Sequence, residues 1–397
     1  MLDSPRPAGL VTEGVRDTPP FINPRAYPDP PCRVPVPPPA ATFDDLEELH
    51  ALCRRGRVYA VEAWIRAGRP LWCAARSKRR TPSAFEIAVE TSQEDLALLL
   101  LANGFPFQTV LDDFAIGRLL WDRKERFFHL LLTWGLDILR VTPRTILETY
   151  DPALFDRFEA AGGDLTRGHA LAEALGAHGS NRPGYGWARH RQAEPRIARE
   201  LAIALDIAVR RESERTVALL LWAGADPHRS VPYVDIDAAR RITTTDDPED
   251  EDDGSPVETA VMHGQPKLLV RMHPDPVRDD FDRLWANVVD AECAAILAAK
   301  ARPADWSRAV LRNCHRAVAE YTDRWRARRC LEYLFGEYGA RLQTAEEREI
   351  GWLRRDLLRA KEDGDVRWLL GMLRRPEHCD PALFAALVRT SGMRARC

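Results

Sequence analysis

The sequence is poor in lysine, has no long apolar run, and does not start with the pattern expected of a signal segment. Only five of its 57 basic residues are lysine, so arginine carries nearly all of the positive charge. This usage, together with many alanines and prolines, is typical of a GC-rich genome, and we expect a bacterial source. No apolar run reaches the roughly 18 residues that a membrane span requires, and the N-terminus has no charged-then-apolar pattern. We therefore expect a cytoplasmic protein that does not enter a membrane.

The sequence also has no strong excess of one charge. The formal net charge is −3, so no global field attracts the chain to nucleic acid or to a membrane surface. Apolar residues make up 45 % of the chain and charged residues 29 %, a balance that supports a folded core and excludes disorder of the whole chain. Any binding of a charged partner is therefore expected to be local.

The short motifs that accompany most catalytic and cofactor sites are missing as well. There is no Gly-x-x-x-x-Gly-Lys phosphate loop, no Gly-x-Gly-x-x-Gly, no Gly-x-Ser-x-Gly elbow and no His-Glu-x-x-His pair. His50 and His129 lie among apolar or helix-forming residues and are interpreted as structural. Most tryptophans lie in or beside apolar helical stripes, which predicts core packing. We therefore expect a protein that is not an enzyme and holds no cofactor.

The eight cysteines are scattered, with no close Cys-x-x-Cys pair, and this pattern predicts free, buried thiols. The adjacent pairs Cys314-His315 and His378-Cys379 offer the alternative, because thiolate and imidazole groups bind zinc. Adjacent side chains on a helix diverge by about 100°, however, so one such pair rarely supplies two ligands. No metal site is predicted.

Prolines are concentrated at the N-terminus, where residues 1–42 contain twelve of them without a helical period. Proline fixes φ and lacks an amide donor, so this segment is predicted to be an extended or disordered arm. Three interpretations stay open for it: a ligand for an aromatic groove, a segment that binds the rest of the chain, or a plain tail.

From Phe43 onward the pattern changes to pairs of short amphipathic segments separated by turns. The clearest pair runs from Leu205 to His228, with a short first helix, a polar connection and a more apolar second helix. Gly224 follows the second helix at the position where a left-handed cap is needed, and glycine adopts positive φ without a Cβ clash. Sixteen residues separate Ala208 from Gly224.

The same sixteen-residue step recurs from Leu52 to Gly68, from Ala88 to Gly104 and from Leu119 to Gly135. The segment Leu205 to His228 resembles an ankyrin repeat, whose second helix ends in a leucine pair followed by Gly-Ala-Asp. Gly254 to Ala260 resembles the start of such a repeat. The resemblance implies an all-α, ankyrin-like helical-repeat solenoid over residues 43–397, with about eight units.

The resemblance has gaps, because the family's Thr-Pro-Leu-His tetrad is never intact and its histidine is found only at His50. An irregular α-solenoid is the alternative architecture. Two loop insertions are predicted to interrupt the array. The first, at about residues 176–196, is rich in glycine and includes Tyr185 and Trp187. The second, at about 230–253, ends in a dense acidic run and is expected to be disordered.

The resemblance implies binding through projecting turns and first-helix faces. We therefore predict a scaffold or adaptor that binds a protein partner, with a bacterial effector, toxin or defence component considered as the tethered protein. The chain alone is expected to be monomeric. The candidate partner-binding residues lie outside the apolar stripes or in the first insertion; they are Arg55, Arg57, Arg76, Lys78, Arg79, Glu90, Trp187, Arg189, Arg210 and Arg211.

Two other classes of function stay open. Arginine clusters at residues 76–80, 189–199 and 324–329 offer phosphate contacts with aromatic neighbours, as a nucleic-acid-binding protein requires. An enzyme with its site in the first insertion is the other class, with Trp187, Arg189 and His190 as the residues to test.

Overall fold

The computed structural model describes residues 36–74, 81–177, 182–232, 234, 254–303, 305–319, 324–359 and 364–388. Within these segments the protein is all-helical, with 22 α-helices and three short 3-10 helices. The only extended pairings among the described residues are three isolated bridges, Ala40–Cys73, Val231–Gly254 and Leu342–Cys379. None of the helices in these segments is both long enough and apolar enough to cross a membrane.

The chain divides into two compact units. The first ends at Asp164, and the second begins at Leu165. The first unit contains nine of the described helices. They are α1 (Glu47–Arg54), α2 (Val58–Arg66), α3 (Ala84–Glu90), α4 (Glu94–Ala102), α5 (Phe107–Val110), α6 (Asp113–Trp121), α7 (Glu125–Thr133), α8 (Pro143–Leu147) and α9 (Pro152–Ala160).

The second unit contains the other thirteen described helices. They are α10 (Ala170–Gly176), α11 (Arg182–His190), α12 (Pro195–Arg210), α13 (Glu214–Ala223), α14 (Pro256–Met262), α15 (Pro266–Met272), α16 (Phe281–Asn287), α17 (Ala291–Ala298), α18 (Ser307–Ala319), α19 (Arg324–Tyr338), α20 (Glu347–Arg359), α21 (Gly364–Leu373) and α22 (Pro381–Val388).

One helix–turn–helix geometry recurs along the chain. A residue with positive φ ends the first helix of a pair, and a second such residue ends the second helix twelve positions later. The pairs are Gly56 and Gly68, Ser92 and Gly104, Arg123 and Gly135, Tyr150 and Gly162, and Glu212 and Gly224. In the turn after α12, the amide of Ser213 donates to the Ala208 carbonyl five residues earlier, which satisfies a carbonyl at the end of the helix.

The prediction that Gly224 takes a left-handed cap is confirmed, since its φ is 95°. The turn between the two helices does not require glycine, because Ser92, Arg123, Tyr150 and Glu212 also adopt positive φ there. A search for glycine alone therefore finds the end of the second helix more easily than the end of the first.

Short polar side chains start several first helices. The Ser83 hydroxyl accepts from the Glu86 amide, and the Glu86 carboxylate accepts from the Ser83 amide, which forms a capping box. The Thr142 and Ser255 hydroxyls cap α8 and α14 by accepting from the Thr145 and Glu258 amides, and each is followed by proline at the first helical position. These contacts occupy amide donors that a helix start otherwise leaves unpaired.

In the second unit the helices pack in two ordered sets. First helices contact one another in chain order, from α10 and α12 through α14, α16 and α18 to α20. Second helices do the same, because α11 packs on α13, α13 on α15, α15 on α17 and α17 on α19. Buried leucine, isoleucine, valine and alanine side chains fill the space between the sets; Leu201, Leu205, Val217, Leu220, Val257, Leu269 and Leu297 are among them.

The loop predicted over residues 176–196 is corrected, because most of that segment is helical. Residues 182–190 form α11, and Pro195 begins α12. Tyr185 is fully buried and its hydroxyl donates to the Leu175 carbonyl over 2.5 Å, which joins α11 to α10. The aromatic residues give this glycine-containing segment an apolar face, and burial of that face stabilises the helix.

Most of the predicted N-terminal arm and of the acidic insertion lies outside the described residues, at positions 1–35, 233 and 235–253. The described end of the arm is paired with the first unit. The Ala40 amide donates to the Trp72 carbonyl over 2.7 Å, and the Trp72 indole donates to the Pro37 carbonyl over 2.8 Å. The end of the proline-rich segment is thus tied to residues 72–73.

Candidate binding groove

A groove runs across the first helices of the second unit. It consists of three adjoining cavities of about 490, 530 and 480 Å³, and Ala286 and Arg308 line all three. Helices α12, α14, α16, α18 and α20 supply lining residues because each first helix packs on the next one in chain order. We call this feature the first-helix groove.

A buried carboxylate on α14 forms the centre of one wall. Glu258 is 6 % exposed, and its Oε1 accepts from Arg283 Nε over 2.6 Å and from Asn287 Nδ2 over 2.7 Å. Both partners belong to α16, so the three side chains join consecutive first helices. Burial raises the pKa of Glu258 above its usual value, while the charge and hydrogen bond of Arg283, the hydrogen bond of the Asn287 amide and the charge of Arg312 oppose that rise.

A second buried carboxylate joins α12 to α14. Asp206 Oδ1 accepts from the Thr259 hydroxyl over 2.6 Å, and its Oδ2 lies 2.6 Å from Arg210 Nη2. Another nitrogen of Arg210 donates to the Val234 carbonyl over 3.0 Å. Charge and hydrogen-bonding capacity on this side of the groove are therefore used largely within the protein itself.

Helix α18 contributes a different kind of side chain. Arg308, Arg312 and Arg316 are spaced four residues apart and therefore lie on one face of the helix. Arg308 and Arg312 are exposed, and among the described residues neither guanidinium forms a hydrogen bond or an ion pair. These two guanidinium groups are thus not held in an ion pair, although Arg308 acts electrostatically on Asp305 and Arg312 on Glu258. Arg210 and Arg283, in contrast, contact carboxylates directly.

The end of the groove towards α20 is more apolar. Leu311, Trp352 and Leu353 line that cavity together with His315 and the arginines of α18. The Arg348 guanidinium lies 4.5 Å from the centre of the Trp352 ring, a cation–π contact that orients the indole. His315 Nε2 lies 3.4 Å from Asp356 Oδ2. The groove therefore combines free positive charge with an aromatic wall.

The structure places the sequence-predicted binding residues at scattered positions. Arg55 and Arg57 are exposed in the turn after α1, and Glu90 is exposed at the end of α3. Arg76, Lys78 and Arg79 lie outside the described residues. Arg55, Arg57 and Glu90 belong to the first unit, and none of these three lines the first-helix groove.

The remaining candidates belong to the second unit. Arg210 lines the groove, but its side chain is only 17 % exposed. Arg211 is exposed, and its Nη1 donates to the Ala177 carbonyl over 3.0 Å. Arg189 lies 4.3 Å above the ring of Trp222, which is largely exposed instead of forming part of the core. Trp187 is 6 % exposed and serves core packing, so it is not a surface contact.

The described arginine clusters are largely engaged within the protein. Arg191 pairs with Glu194 over 3.0 Å and stacks on Trp187, while Arg196 pairs with Glu194 over 3.1 Å. In the cluster at 324–329, Arg328 lies over Trp368 and Arg324 donates to the Val318 carbonyl. These contacts reduce the number of guanidinium groups that are available for phosphate. The cluster at 76–80 lies outside the described residues.

The six described cysteines are free, and five of them are buried. Burial raises the pKa of Cys53 to about 12 and that of Cys379 to about 11, so both thiols stay protonated at neutral pH. His50 is buried too, and burial lowers its pKa. No group of three or more histidine, cysteine or acidic side chains suited to a metal occurs within the described segments. His378 stacks on Phe335 and hydrogen-bonds to the Met372 carbonyl.

Part of the groove has a signal in the sequence. The four-residue spacing of Arg308, Arg312 and Arg316 predicts one basic helix face, although this helix carries little of the repeat signature. The Glu258–Arg283 contact, in contrast, spans 25 residues and depends on how two helices stack. No protein-family model matches the sequence, and comparison with curated proteins finds no match to it.

Proposed function

We propose that this protein is a non-catalytic interaction module built as an ankyrin-like helical solenoid, and that it binds a partner protein through the first-helix groove. The observation that carries the proposal is the ordered packing of α12, α14, α16, α18 and α20 beneath one continuous lined groove. Repeat architectures form extended binding surfaces in this manner, since each repeat adds one strip to the surface.

The chemistry of the lining supports a protein partner. The groove contains arginine, tryptophan and leucine side chains next to paired carboxylates, a mixture that suits a polar rim around an apolar contact. Tryptophan and arginine are also the residue types that most often contribute strongly to binding between proteins. Each of the three cavities is large enough for several side chains of a bound segment.

The recurring hairpin supports the ankyrin-like part of the proposal. Five helix pairs share the twelve-residue separation between their two left-handed residues. In four of these pairs the glycine that ends the second helix also lies sixteen residues after an apolar residue of the first helix. The missing Thr-Pro-Leu-His tetrads are replaced by other caps, such as Ser83 with Glu86 and Thr142 with the Thr145 amide.

Filling the groove without changing its charge tests this proposal. Ala286→Trp places a large side chain at the residue that all three cavities share, whereas Ala299→Trp places the same side chain at an exposed position after α17. We expect the Ala299→Trp variant to capture the same partner from native cell extract as the unmodified chain. The Ala286→Trp variant is expected to lose that partner.

The two variants are compared by quantitative mass spectrometry after circular dichroism has shown that both are folded. Equal capture by both variants contradicts binding through the groove. Absence of any partner that the unmodified chain enriches over beads contradicts the function itself.

A further inference from the structure

We infer that the first-helix groove is specific for an acidic peptide segment, whose carboxylates pair with Arg308 and Arg312 and whose apolar side chain packs against Trp352. This inference rests on the proposed function and names the chemistry of the partner. It follows from which charged groups of the groove are held in ion pairs within the protein and which are not.

The buried carboxylates are neutralised from within the protein. Asp206 is paired with Arg210, and Glu258 is paired with Arg283 and Asn287. Asp280 Oδ1 caps α16 through the Arg283 amide, and Glu349 Oε2 accepts from the Glu346 amide. Asp206 and Glu258 are thus paired with guanidinium groups, whereas Asp280 and Glu349 accept only amide hydrogen bonds and keep their negative charge.

The exposed arginines of α18, in contrast, are not held in ion pairs within the described residues. Arg308 and Arg312 line the groove one helical turn apart and form no ion pair among the described residues, although the charge of Arg312 acts on Glu258 and that of Arg308 acts on Asp305. Residues at this spacing have Cβ atoms roughly 6 Å apart, which suits two carboxylates of one extended peptide. Arginine also binds carboxylates by paired N–H donors, so the contact is directional.

An acidic peptide fits this lining better than a nucleic acid does. Asp280 and Glu349 line the same cavities as the arginines, and Asp282, Asp305 and Glu346 line the third cavity. A nucleic-acid backbone carries a negative charge at every nucleotide and would meet these carboxylates, whereas a peptide can place its acidic side chains at the two arginines only. The described clusters outside the groove are largely engaged by acidic or aromatic neighbours.

The aromatic wall adds a second requirement. Leu311, Trp352 and Leu353 lie at the α20 end of the groove beside the arginines. An apolar side chain next to the acidic residues of the ligand would remove this surface from water, and such burial contributes about 25 cal/mol per Å². A segment with only acidic residues would leave the wall uncovered.

Fluorescence anisotropy with the full-length chain tests the inference. The probe is a short fluorescein-labelled peptide in which aspartates and glutamates flank a central Leu-Phe pair. A matched peptide carries asparagine and glutamine in place of the acids, and a labelled single-stranded oligonucleotide of thymidines represents nucleic acid. We expect the acidic peptide to bind, its affinity to fall with added salt, and the amide peptide to bind at least about tenfold more weakly.

Two charge-matched double variants place this binding in the groove. Arg308→Ala with Arg312→Ala is expected to weaken the acidic peptide about five- to thirtyfold, as the loss of two exposed charge pairs implies. Arg329→Ala with Arg367→Ala removes the same charge from exposed positions on α19 and α21 and should change the affinity less than twofold.

The outcomes separate the inference from the function on which it rests. Equal effects of the two double variants, equal binding of the acidic and amide peptides, or tighter binding of the oligonucleotide overturns the acidic-peptide inference. If Ala286→Trp still abolishes capture of the partner in that case, the groove remains the proposed binding surface and only the proposed chemistry of its ligand is wrong.

Discussion

At the scale of single residues, the contact between Glu258 and Arg283 shows how the groove tolerates a buried charge. The carboxylate is almost fully buried, and Arg283 and Asn287 offset much of the free energy that its desolvation costs. A carboxyl group whose pKa is raised in the folded state binds its proton more tightly there than in the unfolded state. Its contribution to stability is present below the ordinary carboxyl pKa and is lost as pH rises through the raised pKa.

Replacing Arg283 by alanine should enlarge that pH dependence. Without the guanidinium, the pKa of Glu258 rises further, and its ionised form has lost a charged hydrogen-bond partner. Because Arg283 is partly exposed, we expect a loss of about 1–2 kcal/mol in the free energy of unfolding at neutral pH. The loss should shrink towards pH of about 5, where protonation relieves the carboxylate.

Urea denaturation at the two pH values measures this effect. Arg329→Ala is the matched control, since Arg329 is exposed on α19 and its removal should change stability by less than about 0.5 kcal/mol at either pH. A loss on Arg283→Ala that is equal at both pH values would show that Glu258 is not coupled to Arg283.

At the scale of elements, the left-handed turn at the end of α13 makes a second prediction. Gly224 has a φ of 95°, a conformation that side chains with a Cβ rarely adopt, and a Cβ there would also overlap the Gln192 side chain, which would have to move. Gly224→Ala should therefore lower the free energy of unfolding by roughly 1–2 kcal/mol. Gly336 is the control, because it lies inside α19 and no neighbouring atom lies within 4 Å of the position that a Cβ would take there.

Gly336→Ala should raise stability by about 0.5–1 kcal/mol through its better helix propensity. Thermal denaturation followed by circular dichroism distinguishes the two substitutions. If both variants shift the midpoint of thermal unfolding in the same direction, the positive φ at position 224 does not disfavour a residue with a side chain.

Individual elements show how far the sequence specifies the fold. The helix pair from Leu205 to His228 was predictable because an apolar period ends at a glycine cap. Helix α11 was not, since Gly184 and Gly186 weaken helix propensity and its stability depends on packing of Tyr185 and Trp187. Thr142 before Pro143 marks the start of α8 and was available as a signal. Local chemistry thus predicts caps and turns, whereas tertiary packing decides the segments whose propensity is poor.

The same division applies to the groove. The basic face of α18 follows from sequence spacing alone. Sequence spacing does not show that Arg283 is in an ion pair and Arg308 is not. The carboxylate that contacts Arg283 belongs to α14 and reaches it only when the two first helices stack. A list of exposed arginines chosen by sequence therefore includes Arg210, which proves to be mostly enclosed.

At the scale of the whole molecule, function is proposed to reside in the surface that stacked first helices share. No single residue supplies this surface, since five helices of the second unit line it. Met262 on α14 lines the groove and is 38 % exposed, whereas Val270 on α15 is 52 % exposed and lines none of the three cavities. Substitutions at these two uncharged positions therefore distinguish binding at the groove from binding at the surface of the second helices, and they alter no charge.

Site-specific photo-crosslinking from these two positions tests the central claim most directly. A photoreactive amino acid replaces either Met262 or Val270 in the full-length chain, and the cross-linked proteins are identified after irradiation in native extract. Binding through the first-helix groove predicts one protein cross-linked from position 262 and little of that protein from position 270. Equal cross-linking from both positions, or cross-linking of that protein from position 270 alone, would contradict it.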